Sequence, residues 1–324
     1  MSLDTTAAQK QDKPSQTTLT LRSIAFSHYN EKARWALDYY KVPYVEYRSL
    51  PMCHVVSMFK YKAKTRTPGA GASAFVTPHL SIEPKGDDAS DDKKDKEKIT
   101  LNDSTKILEF LSDQYAAPAN SNGRHSAPAN LYSNDEASRT KIQTLEERFD
   151  NMIGPHVRRL VYYEVLVKSP SSVGRSLGQH NNAGKLQAWI WSLFFPIIAY
   201  LLCKIMHVNE VSASRSKDIL KREFEHISRV LESGPPGPAY LVGNQFTAAD
   251  LTLASLGGLV VGVTEEEGYG AWVPSLSAFR PEGRAFFEEL RQTTAGQHIL
   301  ECYKLHRGSK APGSSYGFSC FGLW

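Results

Sequence analysis

Two short stretches carry side chains suited to chemistry on an anion. The first is Ser27-His28-Tyr29-Asn30, which lies between an apolar run and a segment of good helix formers, Glu31 to Tyr40. A helix starting here turns its partial positive end and its unpaired N–H groups toward whatever sits beside Ser27. Ser27 can donate its hydroxyl to a bound anion or simply cap the helix, and serine suits both tasks. Tyr29 is the rival donor through its phenol, and His28 can assist or lie on the surface. The second stretch is Asn102-Asp103-Ser104, ahead of a helix predicted over Thr105 to Tyr115 with Ile107, Leu108 and Leu111 on its apolar face. Asn102, Asp103 and Ser104 are suited to cap that helix.

The elements that must position these groups follow from hydrophobic pattern. Leu19 to Phe26 reads as a buried strand, and Ser27 to Asn30 as a short polar turn. Glu31 to Tyr40 is then a helix ended by Lys41-Val42-Pro43, and Tyr44 to Ser49 is a second strand. The β-α-β order makes the two strands parallel. A short helix is predicted over Met52 to Lys62. A third strand over Ala74 to Ile82 contains Pro78, and a fourth spans Ile99 to Leu101. The charged run 86–98 forms a long solvated tip between them. We therefore expect an α/β domain of order β-α-β-α-β-β-α over 18–116. A polar lead, 1–17, precedes it, and a Pro-, Asn- and Ser-rich linker, 117–134, follows.

Residues 135–307 read as an all-helical domain. The elements are a helix over Asp135 to Lys168 kinked at Gly154-Pro155, a polar break over Val173 to Gly184, an amphipathic helix over Ser216 to Glu232, a capped helix beginning at Thr247, and a last helix over Pro281 to Arg307. Leu186 to Met206 is almost continuously apolar and about as long as a bilayer span requires, interrupted by Pro196. A buried helix pair or kinked helix is the preferred reading, and membrane association the alternative. The tail 308–324 either docks or stays disordered.

The 324 residues carry 38 basic and 34 acidic side chains, a net +4, and no basic stripe with interleaved aromatics, so no nucleic-acid partner is expected. Cys53, Cys203, Cys302 and Cys320 form no CxxC pair and no zinc-like spacing. This predicts no metal site and a reducing, cytoplasmic setting.

Several of these motifs together resemble glutathione S-transferases. Ser27 through Arg34 is similar to the family's active-site turn, Val76-Thr77-Pro78 to its cis-proline turn, Asp103-Ser104 to its acidic-Ser pair, and Phe246 through Asp250 to the capping box of its helical domain. The ending from Thr294-Ala295-Gly296 to His306-Arg307 resembles a bacterial-type subgroup. The resemblance covers about Leu19 to Arg307. It implies a thioredoxin-like domain followed by an all-helical one, glutathione as co-substrate, and a homodimer. It also implies Ser27, or alternatively Tyr29, as the group that stabilises the glutathione thiolate, a species scarce at neutral pH without help because a free thiol titrates near about 8.5. Asp103 and Ser104 would then hold the γ-glutamyl end, and Thr77 with Pro78 the cysteinyl backbone. One of Lys60, Lys62 and Lys64 would hold the glycine carboxylate. An apolar second substrate would lie between the domains against Met152, His156, Arg159, Tyr162 and Tyr163. A non-catalytic ligand-binding or interaction protein is the other reading of the same fold.

Overall fold

In a computed structural model, the residues described are 17–59, 76–84, 99–117, 128–179, 181–233 and 240–318. The lead up to residue 16, the whole charged tip and the three candidate lysines Lys60, Lys62 and Lys64 lie outside them, as do part of the linker and the last six residues.

The first domain is built on a mixed sheet. Strand β1 (Thr17–Ile24) pairs in parallel with β2 (Val45–Ser49) and antiparallel with β3 (His79–Pro84), which pairs antiparallel with β4 (Ile99–Leu101). Helix α1 (His28–Tyr39) makes the parallel crossover. Helix α2 (Cys53–Phe59) follows β2, and α3 (Ser104–Tyr115) closes the unit after β4. This is the β-α-β-α-β-β-α order of a thioredoxin-like domain. Its core centres on Leu19, Leu21, Leu37, Leu80, Ile107 and Leu108.

Helix α1 begins three residues earlier than the sequence suggests. The predicted turn is one residue, Ser27, in extended backbone, and His28, Tyr29 and Asn30 are already helical. Those polar side chains look like turn residues, but their partners lie on other elements. At the other end, Val42 N–H bonds Leu37 carbonyl and Lys41 N–H bonds Asp38 carbonyl, with Lys41 in the left-handed region at φ 55°. This is a Schellman closure with lysine where glycine is usual, and Pro43 ends the helix behind it.

The second domain comprises α4 (Glu136–Met152), α5 (Gly154–Tyr163, continued by a π turn over Glu164–Lys168), α6 (Ser171–Ser176), α7 (Lys185–Ile205), α8 (Glu210–Glu232), α9 (Ala248–Gly257), α10 (Pro281–Gln292) and α11 (Thr294–Cys302), the last continued by a π turn over Tyr303–Arg307. Helix α9 is buried throughout and packs on α1, α4 and α11. Its box closes through Asp250, whose Oδ2 accepts from the Thr247 N–H and hydroxyl at 2.9 and 2.7 Å.

Two expectations are corrected, and one of the two readings of the tail is realised. The last helix is two: Thr293 breaks it and caps α11 by accepting from Gly296 N–H at 3.0 Å. The apolar run Leu186–Met206 is neither a buried helix pair nor largely buried. It forms the single helix α7, which runs through Pro196 and keeps one face on the domain and the other in solvent. The described part of the tail, 308–318, is docked. Gly308, at φ 60° and ψ −176°, turns the chain back, and Ser315–Phe318 adds a fifth strand, β5, parallel to β2, giving the order β4-β3-β1-β2-β5 among the described residues.

Buried charge joins the two domains along α1. Arg307 pairs with Glu31 at 2.8 Å and Asp38 at 2.9 Å. Arg34 reaches Glu31 and Glu46, and Arg48 reaches Glu46, so three guanidiniums face three carboxylates with almost no solvent contact. Burial pushes the Glu46 carboxyl up, but Arg34 and Arg48 override it and hold it at about 2. Further along, Lys32 is wholly buried and bridges α1 to Glu146 and Asp150 of α4, both at 3.3 Å.

Candidate functional site

Ser27 stands where β1 ends and α1 begins. Its N–H bonds the Ile24 carbonyl at 3.0 Å, and its side chain makes no capping hydrogen bond. Of the two readings of Ser27, the cap is not realised, and the hydroxyl is left for another partner. It opens into an apolar cleft between the domains. Phe26, Ser27 and His28 form one wall, and Arg158, Val161, Tyr162 and Val165 of α5 and its π turn form the facing wall. Leu259, Val263, Val273 and Phe279 close it from behind.

His28 and Tyr29 are spent on the domain junction. His28 is buried and donates from Nε2 to the Gly154 carbonyl at 2.9 Å. Burial and then nearby Arg158 push its imidazole down to about 3, so it is neutral near pH 7. The Tyr29 phenol donates to the Asp150 carbonyl at 3.3 Å, and its pKa is raised, chiefly by burial. A Cβ on Gly154 would overlap the Tyr29 hydroxyl, so the start of α5 requires glycine there. Sequence reasoning put Tyr29 forward as an alternative thiolate donor; its hydroxyl is instead turned into the α4–α5 corner.

The other first-domain residues surround the start of α1. The Thr77–Pro78 bond is cis. Thr77 Oγ1 accepts from Asn30 Nδ2 at 3.2 Å, tying that turn to α1, while the buried Asn30 Oδ1 has no hydrogen-bond partner. Asp103 caps α3 by accepting from Lys106 N–H at 2.9 Å, and Ser104 is the buried first residue of the helix. The next residue, Thr105, donates to Asp150 Oδ2 at 2.7 Å and accepts from Lys32 at 2.5 Å, joining α3 to the interdomain bridge. A cis-proline turn is thus linked by a hydrogen bond to the first turn of α1, the helical domain sits across α1, and the strand order is that given above. The fold is a thioredoxin-like domain followed by an all-helical domain.

No protein-family model and no curated protein sequence matches the chain. Among solved structures it is similar to a maleylacetoacetate isomerase from Anaeromyxobacter dehalogenans with glutathione bound (16% identity, 92% of this chain and 100% of that one, TM-score 0.44). It is also similar to the beta-etherase LigF from Sphingobium sp. strain SYK-6 (13%, 88% and 99%, 0.46) and to glutathione transferase Omega 2S from Trametes versicolor (14%, 91% and 90%, 0.46).

The five residues expected to line the second-substrate side of this fold divide unevenly. Tyr162 lines the cleft. His156 and Arg159 point to α8 instead, where His156 Nδ1 lies 3.1 Å from Ser216 Oγ and Arg159 Nη1 lies 3.2 Å from His156. Tyr163 borders a separate charged depression with Lys168, Lys217 and Arg280, and Met152 does not reach the cleft. The residues missed are Arg158, Val161 and Val165. With Tyr162 they repeat at i, i+3, i+4 and i+7, the spacing of one helical face. His156, Arg159 and Tyr163 lie on other sides of the same helix.

A second constellation looks reactive and is structural. Cys302 Sγ lies 3.4 Å from His298 Nε2, which is 3.0 Å from Asp250 Oδ1. Burial pushes the thiol well up, and Asp250 is already held by the Leu241 and Thr247 N–H groups and the Thr247 hydroxyl. The group ties α9 to α11.

Proposed function

We propose that the chain is a cytoplasmic glutathione-dependent transferase in which the Ser27 hydroxyl and the first N–H groups of α1 stabilise the thiolate of bound glutathione. The thiolate, its proton released to solvent, attacks an electrophilic carbon of a largely apolar co-substrate held in the cleft. The new C–S bond forms as a leaving group departs with its bonding pair or, in an activated alkene, as the π pair moves to the neighbouring carbon and takes up a proton from water. The observation that carries this reading is the uncommitted Ser27 hydroxyl at a helix start, facing an apolar cleft beside a cis-proline turn. Glutathione would extend from there along the first domain, its cysteinyl backbone at Thr77-Pro78 and its γ-glutamyl end at Asp103 and Ser104. The chemistry asked of the protein is modest. A hydroxyl donor and a helix end lower the thiol's pKa toward neutrality, and an apolar wall keeps water from the electrophile.

Two measurements test it. Calorimetry should detect glutathione binding that Asp103→Ala weakens by about 1–3 kcal/mol, the range for loss of a charged hydrogen-bond partner. In a screen of aryl halides and activated alkenes, Ser27→Ala should lose turnover while keeping glutathione affinity. Absence of glutathione binding in the wild type would sink the transferase reading and leave the same fold as a non-catalytic ligand carrier.

A further inference from the structure

We infer that the co-substrate of this cleft is an apolar acid, a hydrocarbon body bearing a carboxylate, and that Arg158 selects it. The inference rests on the reading of the cleft as the co-substrate site. Among the described residues, only four polar side chains line the cleft, Ser27, His28, Arg158 and Tyr162, and no carboxylate does. His28 is neutral and committed to Gly154, and burial keeps the Tyr162 phenol protonated, at about 12. Arg158 is therefore the one charged group among the described residues of the lining.

Arginines elsewhere in the interior have partners. Arg34, Arg48 and Arg307 sit in the balanced cluster with Glu31, Asp38 and Glu46, and neighbouring Arg159 is engaged with His156 and Ser216. Arg158 forms neither an ion pair nor a hydrogen bond among the described residues, although it is half-buried between apolar walls. A guanidinium drawn out of water without a counter-charge is costly, and its planar fork matches a carboxylate at two points. The start of α1 adds positive potential at the same end of the cleft. A ligand with an apolar body and one carboxylate satisfies both features, whereas a cation is repelled and a neutral hydrocarbon leaves the charge uncompensated.

The test uses a matched pair of probes, naphthalene-2-carboxylate and naphthalene-2-carboxamide, titrated calorimetrically with the full chain. Wild type should prefer the acid by about tenfold or more. Arg158→Met should erase that preference and leave amide and glutathione affinities unchanged, and Arg158→Lys should restore part of it. Equal affinity for the two probes overturns the proposal, as does loss of both together in Arg158→Met, weakened glutathione binding in that variant, or failure of both probes to bind. Loss of glutathione binding in the wild type with the acid preference intact would sink the transferase reading alone.

Helix α7 carries an independent inference: the geometry points to its outer face as a contact with an anionic lipid surface, lying in the plane of the bilayer. Trp189, Leu193, Phe194, Ile197, Tyr200 and Ile205 are 45–63% exposed on this face, while Trp191, Phe195, Ala199 and Leu202 hold the opposite face to the domain. A helix of 21 residues is about 30 Å long, so the apolar strip is extended, with an indole and a phenol that suit the headgroup level. Charge chooses the occupant. Between Glu164 and Glu210 the chain has no carboxylate, while Lys185 and Lys204 flank the strip. Two copies pairing through this strip about a two-fold axis would bring like charges together at both ends, whereas anionic headgroups neutralise them.

Co-sedimentation of the full chain should show binding to phosphatidylcholine vesicles containing about a third phosphatidylserine. Binding should fall at least about tenfold with Leu193→Ser/Ile197→Ser and should weaken with added salt. Both positions are exposed, so the variant's unchanged melting temperature controls for folding. Failure to bind, or binding unaffected by the double substitution, overturns the proposal. A dimer that the substitution converts to monomer, without vesicle binding, would assign the face to a second copy instead.

Discussion

A histidine enclosed beside the Gly154 carbonyl, with an arginine nearby, has its charge state decided for it. His28 is held at about 3 in the native chain against an ordinary value of 6.5, chiefly by burial. Between those values the unfolded chain binds a proton that the native chain refuses, so stability falls as pH drops from about 6.5 toward 3. Glu46, held at about 2, acts in the same direction but only once the pH passes below its ordinary value of 4.5. Urea midpoints measured at intervals from pH 7 to 4 should therefore decline first in the window belonging to His28. His28→Gln keeps a donor for Gly154 and should flatten that first decline; an unchanged profile would contradict the assignment. The polar triplet was read as a turn because sequence shows that His28, Tyr29 and Asn30 are polar but not that Gly154, Asp150 and Thr77 lie opposite them. Which of Ser27 and Tyr29 keeps a free hydroxyl was open for the same reason, since Tyr29's partner lies 121 residues away.

At the scale of elements, local pattern located strands and helices well wherever one face alone is buried. The face of α3 that carries Ile107, Leu108 and Leu111 is such a case. Pattern misled where both faces carry apolar residues, as in α7, or where a break depends on one residue. Thr293 ends α10 in extended backbone, and nothing in its sequence neighbourhood marks that besides a threonine pair. The tail was illegible because β5, with Ser315, Tyr316, Gly317 and Phe318, is too short for an alternation to register. Its docking depends instead on Gly308, whose backbone conformation is essentially restricted to glycine. Gly308→Ala should cost about 1–3 kcal/mol and loosen β5, read as faster amide exchange at Tyr316 and Phe318 with α9 amides protected as before.

Across the whole molecule, the domains are joined by paired charge rather than by apolar surface alone. Each charge in the Glu31, Asp38 and Arg307 group compensates another across the two domains, so removing one side strands the other. Arg307→Met should destabilise the chain by about 3–5 kcal/mol, with both domains melting together, and the simultaneous change of Arg307 and Asp38 to apolar residues, which leaves Arg34 and Arg48 balanced by Glu31 and Glu46, should be milder than that single change. Denaturant unfolding followed separately by Trp35 fluorescence and by helical circular dichroism would report a single shared transition. An interface sealed this way also keeps the cleft walls, Phe26 to His28 on one domain and α5 on the other, in fixed opposition.

The returning strand has a consequence for biosynthesis. Tyr44 bonds Ser314, a partner 270 residues away, and Arg307 pairs with Glu31 at a separation of 276. During translation the first domain therefore leaves the ribosome long before it can be completed. Its β2 edge remains open and Glu31 and Asp38 lack their arginine until nearly the whole helical domain has followed. At about 5–20 residues per second that wait lasts on the order of ten seconds to a minute, during which an unpaired strand edge is available to other nascent chains or to a chaperone. Yield in vivo should thus depend on how fast the second half is made, so slowing synthesis across the helical domain would lower soluble protein even though no amino acid changes.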